Sequence, residues 1–253
     1  MTDEAPRGPP HFGALVSGSA PSRQDTDIVV HRTPLLHAAS WLLVLLSPAP
    51  PLDVTLIAQE LVPTGHSEGA PAELAPRLAE RISPGGLAVA VGGNRLEFWW
   101  VKALALGGSS AGTGKWSAVA QGTLVGVVRI AATFRDIRGK TVKPGVYTLR
   151  YGVQPVNGDH LGVSPFRDFL LLCPAAGDRD PAPLGYEGVA KLSATTIGGA
   201  HPATLSIDPP ETAAGVLSSH TTELGHRALV VEVPLEGGAA LRFGIVLIGK
   251  VEA

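Results

Sequence analysis

Four residues in the middle of the chain, Asn157, Gly158, Asp159 and His160, set an amide, a carboxylate and an imidazole side by side between two apolar runs. An imidazole next to a carboxylate can act as base and orienter, or the two can ligate a divalent cation. The same residue types recur at Arg150, Arg167, Asp168, His201, His220 and His226, each near the end of an expected strand or in a loop. Convergence of Asp159, His160, His201, His220 and His226 would make a metal site and a metal-dependent enzyme. The spacing does not ask for one, because the sequence has no HxH, HExxH or CxxC pattern. Turn chemistry accounts for most of the knot without a site. Asn-Gly is a strong hairpin dipeptide, Asp159 can bond its own backbone two residues on, and Gly162 and Pro165 close the loop.

The other reactive types fare similarly. Cys173 is the only cysteine and ends the apolar run "DFLLLC", so it reads as a small buried hydrophobe with no disulfide partner. Neither Ser117 nor Ser164 lies in a GxSxG elbow, which argues against a serine hydrolase. "GGSSAGTGK", residues 107 to 115, has glycines and a lysine, but Lys115 precedes Trp116 and a strand where a phosphate loop would open a helix. Trp99 and Trp100 are neighbours on an expected strand and so point to opposite faces, and one of them, if exposed, could stack on a sugar ring. With Arg150, Asn157, Asp159 and His160 they form the candidate ligand-binding set.

These residues need a frame, and composition indicates which. Hydrophobic residues are 45% of the 253 and charged residues 17%, which supplies a core, while 31 glycines and 22 prolines suit many short strands joined by turns. The formal charge is −2 with no basic stripe, so neither nucleic acid nor an anionic membrane surface is an expected partner. No cofactor is expected, the divalent ion of the enzyme reading being the alternative.

Residues 1–30 read as a disordered extension or the product of a mis-assigned start. Residues 31–52 hold "LLHAASWLLVLL" (35 to 46), too short to span a bilayer but suited to a signal peptide or an N-terminal anchor, so the expected location is periplasmic or extracellular. Membrane contact would come only through 35–46, if uncleaved. Residues 53–85 read as a linker with one short amphipathic helix, since Leu74, Leu78 and Ile82 recur every four residues before Pro84-Gly85-Gly86. Residues 86–253 read as an antiparallel, jelly-roll-like β-sandwich of eight to ten strands with a helix near 186–197. In "GVYTLRYGVQP" the residues Tyr147, Leu149, Tyr151 and Val153 share one face and Thr148 and Arg150 the other, a half-buried alternation. The turn Gly92-Gly93-Asn94 is expected to supply positive φ to a hairpin.

The block "FRDIRGKTVKPGVYTLRYGVQPVNGDHLGVSPFRDFLLLCPAAGDRDPAPL", with "HPATLSIDPP" and "LRFGIVLIG", resembles a group of uncharacterised exported bacterial β-sandwich proteins over roughly residues 85 to 253. The resemblance implies fold and export and brings no activity or site residue with it. The expected function is a non-catalytic binding or envelope-associated module whose partner is a protein, a small molecule or a glycan, met at loops that include 155 to 166. The alternatives are the metal-dependent enzyme and a structural subunit of a larger assembly, which would present a long uncovered strand edge.

Overall fold

Two glycines start the sheet. Gly92 (φ 53°) and Gly93 (φ 81°) form the two-residue turn between β2 (Gly85–Val91) and β3 (Asn94–Trp100), with Val91 opposite Asn94. Positive φ at both central positions matches the twist of the flanking strands. Asn94 is not left-handed as expected. It begins β3 and uses its amide to accept from the N–H of Ala132 (2.9 Å) and donate to its carbonyl (2.8 Å).

The computed structural model describes residues 61–156, 164–210 and 215–249. The remaining strands are β1 (Leu61–Glu68), β4 (Leu124–Ile130), β5 (Phe134–Arg135), β6 (Thr141–Val142), β7 (Gly145–Val153), β8 (Asp168–Pro174), β9 (Thr204–Asp208), β10 (Ser219–Thr221), β11 (Arg227–Pro234) and β12 (Ala240–Ile248). Ten of them form one antiparallel sheet in the order β1-β2-β3-β4-β7-β8-β9-β12-β11-β10, and β5 and β6 form a separate hairpin. The expected class, mainly antiparallel β, is what the structure shows. In place of a jelly-roll sandwich there is a single barrel-like sheet. After β3 the chain reaches the far side, where Leu104 donates to the carbonyl of Pro234 (2.7 Å) and accepts from Glu236 (3.1 Å). That bridge curls the meander around one core, with Phe98, Leu149, Tyr151, Leu205, Val231 and Phe243 among its members.

The segment read as linker contributes to the sheet. β1 pairs with β2 across a bulge between Pro63 and Gly65. Its sequence, LVPTGHSE, shows no alternation because most of it faces solvent, and backbone bonding to β2 carries the pairing. The expected helix shortens to α1 (Pro76–Ala79), although Leu74, Leu78 and Ile82 are all buried as their spacing predicts. The second helix, α2 (Gly185–Ile197), lies where expected and ends at Gly198 in the left-handed conformation (φ 65°), whose lack of a Cβ lets it stop the helix. Its buried stripe is Val189, Ser193 and Thr196, with Leu192 only partly buried. The two hydroxyls explain the choice: Ser193 Oγ donates to the carbonyl of Leu172 (2.8 Å) and Thr196 Oγ1 to the same carbonyl (2.7 Å).

α2 covers the outer face of the sheet, packing Val189 on Phe169, Leu171 and Cys173. β7 is therefore buried on both faces, where alternation had suggested one. Its outward Thr148 and Arg150 are fully buried beneath the loop that follows β8. Arg150 meets Asp178 edge to edge, Nε to Oδ2 at 2.7 Å and Nη2 to Oδ1 at 2.8 Å. Nη1 donates to the carbonyls of Gly122 (2.6 Å) and Ala182 (3.0 Å), and Nη2 donates also to that of Asp180. All five guanidinium donors are satisfied.

Removing one partner from a buried ion pair leaves an uncompensated charge. Asp178→Ala is expected to lower stability by about 3–5 kcal/mol in urea unfolding, with the double variant Arg150→Met/Asp178→Leu recovering much of that loss. Equal losses in the single and double variants would show that packing, not charge pairing, holds the loop.

Candidate functional site

The glycine-rich loop at 107 to 115 is a strap tied to the barrel-like sheet at Asp168. Gly112 runs against β7 and β8 so closely that a Cβ there would sit 1.9 Å from the Tyr151 hydroxyl and 2.6 Å from Asp168 Oδ1. The approach lets the Thr113 N–H donate to Asp168 Oδ2 (3.0 Å), while Tyr151 donates to Asp168 Oδ1 (2.6 Å) and Ser110 Oγ lies 3.2 Å from the Tyr151 hydroxyl. Burial, together with the Asp168 carboxylate, pushes the Tyr151 hydroxyl far above the usual phenol range, so it stays a donor. Beyond Thr113 the chain turns through a 3₁₀ helix, Gly114–Ala118, that lowers Trp116 onto Tyr151 in a stack (4.9 Å, 19°) and against the edge of Phe243 (5.1 Å, 79°).

Two of these aromatics, Trp116 and Phe243, line a cleft of about 320 Å³. Around them the lining includes Phe166, Asp168, Ile207, Pro209, Pro210, Leu241 and Arg242, with Lys115 at the strap. The opening follows from strand pairing: β9 and β12 share only Asp208 with Gly244 and Ile207 with Ile245, so among the described residues the start of β12 has no ladder partner on that side. A concave, largely apolar site of about 300–1,000 Å³ with a few convergent polar groups is the usual form of a small-molecule pocket, and the mouths of β-barrels are common places for one. Asp168 is already held by Tyr151 and Thr113, and Lys115 and Arg242 leave the lining net positive.

Two other cavities compare poorly. One, of about 80 Å³, lies between Gly152, Phe169, Tyr186 and His201 and holds little more than water. The other, about 340 Å³ between Arg77, Arg81, Val101 and Pro181 to Pro183, has no aromatic face and no buried polar atom without a partner.

The residues singled out from sequence scatter. Trp99 is 1% exposed, on the outer face, against Gly86 and with Arg129 5.6 Å above its ring. Trp100 points into the core, stacked on Phe98 (5.6 Å). Neither offers an open platform. Arg150 has every donor engaged within the protein. Asn157, Asp159 and His160 lie outside the described residues. His201 borders the 80 Å³ cavity. His220 reaches from β10 across Ala228 and Gly244 to place Nε2 3.0 Å from Asp208 Oδ2, a path open only because a Cβ at 244 would stand 2.9 Å from its ring. His226 lies at the start of β11, also within the field of Asp208. So only His220 of the five proposed metal ligands is seen bonded to a carboxylate among the described residues, where no group of three or more His, Cys, Asp or Glu side chains is arranged to hold a metal. Burial pushes the Cys173 thiol up to about 12, helped by Asp178, so it is not a nucleophile at neutral pH.

Trp116, Phe243, Arg242 and Asp168 are the residues that sequence reasoning did not bring together. The signal for one of them was present: a loop of small residues ending in Lys-Trp is a loop that must pass close to something. Comparison of the chain with protein-family models, with curated proteins and with solved structures yields no match.

Two expectations follow. Gly112→Ala should displace the strap and uncover Trp116, read as a red shift of tryptophan emission and a melting point lowered by several degrees; an unchanged emission maximum would mean that the close approach is not maintained. Burial holds the His226 imidazole below its usual range, with Asp208 pulling the other way. Above about pH 6.5 it is neutral folded or unfolded and contributes no slope. Below that, the unfolded chain takes up the proton first, so stability falls with pH until the folded pKa is passed. His226→Asn should flatten that part of a stability-against-pH curve.

Proposed function

We propose that the protein is a non-catalytic binding module that takes a small, largely apolar ligand into this cleft. The observation that carries this reading is the cleft's construction, an edge-to-face Trp116 and Phe243 pair lining about 320 Å³. Aromatic side chains offer large, rigid contact area at low entropic cost, which suits recognition better than it suits bond making. No nucleophile with an adjacent base is found among the cleft residues described. Export belongs to the same proposal. It is supported by the apolar run 35 to 46, which lies outside the described residues. No helix among the described residues is long and apolar enough to cross a membrane.

Titration with the neutral fluorophore N-phenyl-1-naphthylamine is the direct test. One saturable site is expected, with Trp116→Ala weakening it about tenfold or more, and the milder Phe166→Ala at the rim weakening it less. Absence of saturable binding, or affinity indifferent to both substitutions, would overturn the cleft as the site.

A further inference from the structure

Arg242 is one of the residues lining the cleft, and its Nε and Nη2 are buried and have no hydrogen-bond partner among the described residues. Buried polar atoms are nearly always bonded, so an orphan pair on one cationic group calls for an explanation. Several other buried polar atoms lack partners, Trp99 Nε1, Ser206 Oγ, His220 Nδ1 and Arg227 Nε, but each is single and none lines any of the three cavities. Arg242 differs in both respects. Among the described residues no carboxylate pairs with it, and Glu232, opposite it across the β11–β12 ladder, is exposed and not bonded to it.

The geometry of the two atoms narrows the chemistry. Nε and Nη2 form the side-on edge of a guanidinium, two parallel N–H groups spaced to meet both oxygens of one carboxylate. The same protein shows that edge in use, since Arg150 presents Nε and Nη2 to Asp178 at 2.7 and 2.8 Å. Arg242, whose own edge has no partner among the described residues, is one of the residues that line the cleft with Trp116, Phe166 and Phe243. Asp168, the only carboxylate among the described residues of the lining, already accepts from Tyr151 and Thr113.

We infer that the ligand of this cleft is an amphipathic carboxylate, its apolar body against Trp116, Phe166 and Phe243 and its carboxylate bidentate on Arg242. The inference rests on the reading of the cleft as a ligand site and adds the chemical class of the ligand. Lys115 at the strap supplies a second positive charge that attracts such an anion without fixing its orientation.

Calorimetric titration of the full chain with octanoate, decanoate and naphthoate, each beside its methyl ester, tests both levels. The expected result is that at least one acid binds with one-site stoichiometry and its ester binds on the order of 10- to 100-fold more weakly. Arg242→Met, which removes the charge and keeps the volume, should bring the acid down to the level of the ester. Arg242→Lys should recover only part of the difference, because it keeps the charge and loses the paired edge. If acid and ester bind wild type equally and Trp116→Ala weakens both, the cleft stands as the site and the carboxylate assignment falls. An acid preference that survives Arg242→Met also overturns the assignment. If the neutral fluorophore fails to bind as well as every acid and ester, the cleft reading itself falls and the assignment with it.

Discussion

Arg150 carries a full charge into a place with no water, and the structure is arranged so that every one of its protons has an acceptor. The arrangement draws Asp178, Asp180 and Ala182 down onto the outer face of β7 and fixes Gly122 beneath them. Gly122, with φ 83°, approaches the backbone at Leu184 so nearly that a Cβ there would lie 2.5 Å from its nitrogen. The start of α2 is thereby placed, and with it the hydroxyls of Ser193 and Thr196 that bond to β8. The neighbouring residue on β7 does the complementary task on the inner face, where Tyr151 holds Asp168 and so the strap that carries Trp116. One strand is pinned by polar groups on both sides within two consecutive residues, and the cleft depends on both pins.

This is a reversal of how such a strand reads in the sequence. Tyr147, Leu149, Tyr151 and Val153 alternate with Thr148 and Arg150, and alternation ordinarily means one wet face. Here the second face is dry, and polarity on it signals a buried network. Asp178, whose carboxylate makes this possible, is 28 positions away in a loop of prolines and acidic residues, and a pattern confined to a window of one strand cannot see it. The same limit applies to Arg242, which reads as the outward residue of an edge-like strand and lines a cleft only because β9 and β12 pair over a short register.

Elements set by local chemistry were legible. The Gly92-Gly93 turn, the helix near 186–197 and the buried spacing of Leu74, Leu78 and Ile82 all follow from periodicity and backbone freedom. β1 was not legible, because an exposed edge strand with a proline and a bulge has neither alternation nor apolar content. Nor was closure into a barrel-like sheet: the bond from Leu104 to Pro234 joins residues 130 positions apart, and no composition rule distinguishes a sheet that curls onto itself from two that stack. The candidate site was legible only in its parts, a tight loop and a tryptophan, because the site is made where strands part and not where a motif is written.

The strand order carries a consequence for how the chain acquires its shape. β1 to β9 form a meander in which each strand pairs with one already synthesised, apart from the small β5–β6 hairpin. β9 then receives no partner from β10 or β11, and its free edge is covered only by β12, the last described strand. A nascent chain can therefore build most of the wall as it emerges, but its edge at Thr204–Asp208 stays open to solvent until residues 244 and 245 arrive. Contacts of such sequence separation are slow to form. Over that interval Thr204, Ser206 and Asp208 are the residues at the edge, and a charge at its end is a recognised guard against pairing with another chain. The carboxylate that later receives His220 thus protects the strand before the histidine that answers it has folded into place.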